Sequence, residues 1–274
     1  MVKVRYENFE THTQSSILPF LTDKLSDFEN AEHELMKPYV RPERKIGLCR
    51  SGSIKLVLSE KQKVSLTKLR GAPLSKAELM EKIANEIRVC VKCPLHKGRR
   101  NAVPGAGNTD SIVLFVGEAP GYWEDLEGLP FVGAAGKVLD ALLTDISLPR
   151  DSVFITNVVK CRPPENRDPG PNEVKTCASL YLDRQITLIR PKIIVTLGRH
   201  STYYVFSKGD STKTLEGITQ VRGRVYHMQF LNLSVLVIPM FHPAAVLHNP
   251  KYRDALEGDF ELLKTQLRSM DIRE

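Results

Sequence analysis

Residues 111–146 read SIVLFVGEAPGYWEDLEGLPFVGAAGKVLDALLTDI. The run IVLFV (112–116) is apolar at every position and rich in β-branched residues, which is how a strand reads when both of its faces are covered. A glycine-punctuated loop follows, and then GKVLDALLTDI (136–146), whose apolar residues recur at helical spacing. The same alternation continues downstream. SVFITNVV (152–159), KIIVTLG (192–198) and LSVLVIPMF (233–241) read as strands, with NEVKTCASLYLDRQITLI (172–189) and YRDALEGDFELLKTQL (252–267) as helices. Strands alternating with helices predict an α/β fold, a three-layer α/β/α sandwich on a mainly parallel four-stranded sheet. Ligands in such folds bind at the carboxyl ends of the strands. That points to Gly117–Gly121, Asn157–Arg162, the residues from Gly198 and the residues from His242.

The main domain is expected over residues 75–274. Ser75 and Glu78 form a capping box for a helix running towards Cys90. Residues 1–74 read as a basic, partly disordered extension in which GSIKLVLS (52–59) and KVSLTKL (63–69) would pair as a hairpin. The 274-residue chain carries a formal charge of +7, and residues 41–70 alone hold nine Lys/Arg against two Asp/Glu. Residues 101–274 are close to neutral, with 19 basic and 20 acidic groups. A basic arm on a neutral body suits a polyanionic partner, most often nucleic acid. No apolar run is long enough to span a membrane, and MVKVRYENFE has no apolar stretch of signal-peptide type. The expectation is an intracellular, monomeric protein.

Five cysteines in such a chain argue for reduced thiols or metal ligands. Cys90 and Cys93 form a Cys-x-x-Cys pair, Cys161 follows the second strand, and Cys177 lies sixteen positions later in a helix. Four thiolates suit a structural zinc or an iron–sulfur cluster. The wide spacing of the second pair favours a cubane cluster. Pro94 after Cys93 excludes c-type haem attachment. His96 is a weaker alternative ligand, and Cys49 has no evident partner.

Between the first strand and its helix, glycines at 117, 121, 128, 133 and 136 allow a ligand close to the backbone. GAAGK fails the phosphate-loop pattern, because Phe131 and Val138 occupy two required positions. An NTPase is therefore not indicated. Phe131, set between Pro130 and Gly133, is placed to cover something flat.

These residues resemble motif A of the family 4 (iron–sulfur, thermostable type) uracil-DNA glycosylases: Gly-Glu-Ala-Pro-Gly, then Glu-Asp, then Pro-Phe-Val-Gly. TNVVKCRPPENR (156–167) resembles the second block of that family, and FHPAAVLHNP (241–250) its His-Pro block. The resemblance covers about residues 78–270 with the motifs in order. It implies a monofunctional glycosylase that releases uracil from DNA and leaves an abasic site in base excision repair. It also implies a [4Fe–4S] cluster on Cys90, Cys93, Cys161 and Cys177.

By resemblance, Phe131 stacks on the extruded uracil beside Gly117, and the Asn157 amide reads O4 and N3–H. Cytosine reverses that donor–acceptor pattern, so a fixed amide rejects it. His242 would stabilise the departing uracil anion. Glu118 would handle the water, and Glu124 would crowd the C5 position where thymine carries a methyl group. Lys160, Arg162 and Arg167 are expected to contact phosphate, and Leu247 is the apolar wedge candidate. The chain departs from the family pattern at Ala244 and His248, where serine and arginine are common. Two other readings stay open: a non-catalytic uracil- or damage-binding module, and a glycosylase of the same fold for another base.

A separate signal lies in TQSSILPFL (13–21). Gln14, Ile17, Phe20 and Leu21 have the spacing Gln-x-x-aliphatic-x-x-aromatic-hydrophobic. It resembles the short peptide by which repair enzymes dock on a replication sliding clamp, a helical turn presenting apolar plugs.

Overall fold

Strand β1 (Val2–Arg5) and strand β2 (Thr11–Gln14) pair antiparallel, with Val2 opposite Gln14. In the computed structural model these two backbone segments, residues 74–209 and residues 217–270 are described. The chain divides into two compact units, Met1–Leu69 and Arg70–Glu274. Gln14 ends β2, while Ile17, Phe20, Leu21, Cys49 and the hairpin expected over 52–69 lie outside the described residues.

The second unit begins with α1 (Lys76–Arg88), which Ser75 and Glu78 cap reciprocally as the sequence predicts. Met80, Ile83, Ala84 and Ile87 form its buried stripe, the i, i+3, i+4, i+7 pattern of a helix lying on a core. After it come β3 (Ala106–Gly107), β4 (Val113–Gly117), α2 (Tyr122–Glu127), α3 (Ala134–Asp145) and β5 (Phe154–Asn157). Helices α4 (Pro171–Cys177) and α5 (Asp183–Ile189) are joined by a π-helical turn at Ala178–Leu182. The remaining elements are β6 (Ile193–Leu197), α6 (Arg199–Lys208), α7 (Ile218–Val221), β7 (Tyr226–Phe230), β8 (Leu233–Met240), α8 (Ala244–His248) and α9 (Arg253–Ser269).

The four expected strands form the parallel centre β5-β4-β6-β8. The sheet is nevertheless six-stranded, not four-stranded. β3 adds to β5 and β7 adds to β8, each antiparallel at an edge. Every residue of β4, β5 and β6 is buried. Alternation then sends neighbouring side chains into two different cores. Leu114, Val116 and Ile194 pack with α1, the segment Cys177–Ile189 and α6. Val113, Phe115 and Val195 pack with α3 and α9, where Phe115 stacks on Phe260 at 6.1 Å. Each such side chain contributes about 1.5–3 kcal/mol by its burial. This is the expected α/β/α sandwich. It sets Gly117, Asn157, Gly198 and the segment after Met240 at the carboxyl ends of four parallel strands.

Candidate uracil pocket and four-cysteine centre

Gly117 and Asn157 are register partners at the ends of β4 and β5. A Cβ on Gly117 would lie 2.3 Å from Asn157 Oδ1 and 2.8 Å from the Phe131 ring, so glycine is required for all three to meet. Asn157 is buried, and its Oδ1 has no hydrogen-bond partner. An unsatisfied buried carbonyl costs about 1–3 kcal/mol, a cost a bound donor would relieve.

Phe131 is buried with φ of 52°, a left-handed conformation that is an outlier for an aromatic residue. Three contacts hold it there. The Glu124 carboxylate accepts from Val132 N and Gly133 N, both at 2.9 Å. Arg150 donates to Pro130 O. In α3, Gly136 lets the Phe131 carbonyl approach so closely that a Cβ would stand 1.9 Å from its oxygen. Glu124 also accepts from Gly121 N at 3.1 Å, closing the start of α2. The structure thus shows Glu124 shaping the Phe131 loop.

The His242 ring stacks on Phe131 with centroids 5.5 Å apart and planes at 27°. Its Nδ1 accepts from Ala244 N at 3.2 Å, which places the ring proton on Nε2. Desolvation pushes its pKa down to about 4, opposed by the Glu124 charge, so the ring is neutral at physiological pH. Together these residues bring one aromatic ring, one unfilled acceptor and one neutral donor to the ends of β4, β5 and β8.

Glu118 follows Gly117, but its carboxylate faces other groups. His200 Nε2 lies 3.8 Å from its Oε2 and 3.3 Å from Asp168 Oδ1. Asp168 is in turn paired with Arg199. Burial raises the Glu118 pKa; His200 and Arg199 oppose the rise, and Asp168 adds to it. Nothing in the sequence marked His200 or Asp168, because their partnership exists only where β4, the 162–170 loop and α6 converge.

Cys90, Cys93, Cys161 and Cys177 line one cavity, with Arg99, Lys160 and Tyr181 around them. Arg99 Nη1 donates to Cys161 Sγ at 3.1 Å, Lys160 N to Cys177 Sγ at 3.3 Å and Lys92 N to Cys90 Sγ at 3.4 Å. Donors aimed at sulfur suit thiolates held by a metal or cluster. Without such a cation, burial raises the pKa of Cys93, Cys161 and Cys177, the last to about 12. The donor set fits a four-thiolate group. His96 lines the same cavity, with its Nδ1 2.7 Å from Cys93 O.

One expected DNA contact is corrected. Lys160 is 1% exposed, and its ammonium donates to Thr156 Oγ1, Asn157 O and Gln185 Oε1 at 2.6–2.7 Å. Burial lowers its pKa to about 7, and three acceptors hold the amine inside the protein, out of reach of phosphate. Arg162 lies over the Tyr122 ring at 5.2 Å and donates to Asn166. Arg167 is exposed but held in a bidentate pair with Glu173. Leu247 on α8 is 49% exposed.

Residues 104–264 match the family model described as the uracil DNA glycosylase superfamily. The chain is 53% identical to a type-4 uracil-DNA glycosylase of Saccharolobus solfataricus, over 70% of this chain and 88% of that protein. It is 54% identical to one from Sulfurisphaera tokodaii, over 68% and 83% respectively. The Archaeoglobus fulgidus type-4 protein is 50% identical over 67% of this chain and 91% of its own length.

Proposed function

Because the chain belongs to the uracil DNA glycosylase superfamily, alongside its type-4 members, we propose that Gly117, Phe131, Asn157 and His242 hold an extruded uracil while Glu118 handles the water. The protein is a uracil-DNA glycosylase. It hydrolyses the N-glycosidic bond of deoxyuridine in DNA and leaves an abasic site for repair.

The observation that carries this assignment is the unfilled Asn157 Oδ1 facing Phe131 across Gly117. Uracil N3–H is a donor for that oxygen, and uracil O4 accepts from the amide nitrogen. Cytosine offers a bare N3 and an amino group and leaves both mismatched. The ring lies on Phe131, where stacking is worth about 1–3 kcal/mol and offsets the few kcal/mol of extrusion. His242 Nε2–H donates to O2 as the glycosidic bond breaks and charge gathers on the base. An oriented donor of this kind contributes about 2.7–4 kcal/mol. Being already neutral, it gives up no proton in the step.

Glu118 is read as the carboxylate that orients water towards the sugar carbon and balances its positive charge. Its raised pKa makes it a better proton acceptor than an ordinary carboxylate. Glu124 would act through the Phe131 loop and crowd C5. Arg162 would meet phosphate and Leu247 would fill the gap in the stack. One chain carries the whole site, so the working unit is read as a monomer.

The four thiolates are assigned a [4Fe–4S] cluster, supported by the donors directed at the sulfurs and by the resemblance to iron–sulfur glycosylases. Its contribution would be to tie Cys90–Cys93, Cys161 and Cys177 together. That braces the backbone just beyond Asn157. Residues 14–21 are assigned the clamp contact on the spacing of Gln14, Ile17, Phe20 and Leu21 alone.

The test is a gel assay for alkali-labile sites on a uracil-containing oligonucleotide. Wild type should produce alkali-labile sites at uracil, and Glu118→Ala should lose about a hundred- to ten-thousand-fold in rate. Equal rates for the two proteins would reject the role given to Glu118.

A further inference from the structure

His200 occupies the second position of α6, which starts immediately after β6 at the same end of the sheet as Gly117 and Asn157. Its Nε2 is shielded from solvent and makes no aligned hydrogen bond. Yet it sits between two carboxylates, 3.8 Å from Glu118 Oε2 and 3.3 Å from Asp168 Oδ1. Asp168 is held from the other side by Arg199. The four residues form a string from the β4 end, through α6, to the loop before α4.

A donor nitrogen that close to two acceptors is one small rotation from hydrogen-bonding either. Glu118 itself has no fixed partner: among the described residues no hydrogen bond to its carboxylate is present, and the side chain is 28% exposed. A carboxylate with several rotamers and no anchor is a poor tool for directing water, since a misplacement of about 1 Å costs around a hundredfold in rate. His200 is the side chain in reach that can supply the anchor.

We propose that His200 is a positioning residue for Glu118, sharing its single Nε2–H between that carboxylate and Asp168 so that Glu118 faces the water in one orientation. This inference rests on the reading of Glu118 as the water-handling group. The bridge moves no proton in the reaction. It holds Glu118 through an N–H donor, and Arg199 holds Asp168 in place as the far end of the bridge. The charged groups facing Glu118 are His200 and Arg199 from α6 and Asp168 from the loop before α4.

The test uses single-turnover uracil release by the full-length protein, with rate and half-saturating DNA concentration measured separately across pH. His200→Ala should lower the maximal rate about 10- to 100-fold. Half-saturation, thermal midpoint and visible absorption should stay unchanged. Its acid limb should move to higher pH, since an imidazole that opposed the raised Glu118 pKa has gone. His200→Gln keeps a donor near the position of Nε2 and should recover most of the rate, and Asp168→Asn should show a smaller loss in the same direction.

A wild-type rate and acid limb for His200→Ala would overturn the proposal. So would a loss that tracks the thermal midpoint in both His200 variants, or a rate that depends on added Mg2+ and vanishes with chelator, which would make the cluster a cation site. If Glu118→Ala is itself fully active, the underlying reading of Glu118 fails instead, and the two failures are told apart by that variant.

Discussion

Gly117 and Asn157 face each other across the parallel pair β4–β5, and the Asn157 amide keeps its place only because Gly117 has no side chain. A methyl group there would stand 2.3 Å from Oδ1 and 2.8 Å from Phe131. In the proposed pocket, selectivity would begin with a missing atom.

Gly117→Ala should fold, since the site is at a strand end, but should lose uracil release by about a hundredfold or more as Asn157 and Phe131 are pushed apart. Single-turnover kinetics beside a melting curve checks this. A nearly normal rate would show that the amide and ring need not meet.

Asn157→Asp replaces the amide donor by a second acceptor. Uracil O4 then meets a lone pair, and release of uracil should fall by about 10- to 200-fold. Discrimination against cytosine should narrow. Parallel assays on uracil- and cytosine-containing strands read both changes.

How much of this was legible in the sequence follows from what each residue needs. The four central strands are covered on both faces, so their apolar runs announced them. β3 has only two residues, and β7 alternates between half-exposed and exposed positions before Phe230, so neither edge strand left a signal of that kind. Lys160 was misread because a lysine just after a strand is usually solvated. Its burial depends on Thr156, on the Asn157 carbonyl and on Gln185, twenty-five positions away. Arg99 reads as one more charge in HKGRR, yet it binds Cys161 Sγ and the carbonyls of Arg88 and Cys90. That Gly117, Phe131, Asn157 and His242 come together was readable from their motifs. The groups that orient them come from distant segments and were not.

The pH dependence has two separable parts. The acid limb of activity should reflect Glu118, whose pKa burial raises above the usual carboxylate range, and it should flatten in Glu118→Gln. His242, depressed to about 4, acts on stability instead. Unfolded histidine titrates near about 6.5. Between those values the unfolded chain binds the extra proton, so stability is fully present above the unfolded pKa and declines as pH falls towards 4. Thermal midpoints between pH 7 and 4 should fall less steeply for His242→Gln than for wild type.

Arg99→Leu removes the donor to Cys161 Sγ and the clasp on two carbonyls. A protein purified with its cluster should be brown, and this variant should lose visible absorption faster under chelator or air, with activity declining in step. Cys177→Ala should be colourless from the outset. A colourless wild type carrying zinc would replace the cluster with a structural zinc site.

For residues 14–21, Phe20→Ala combined with Leu21→Ala should abolish capture by a sliding clamp while leaving uracil release untouched. Undiminished capture would reject the peptide assignment.

The most direct measurement is a crystal structure of the protein with uracil bound. It should show the base lying on Phe131, N3–H donating to Asn157 Oδ1 and O2 accepting from His242 Nε2. A base bound elsewhere, or an Asn157 Oδ1 still unpaired in the occupied site, would contradict the pocket described.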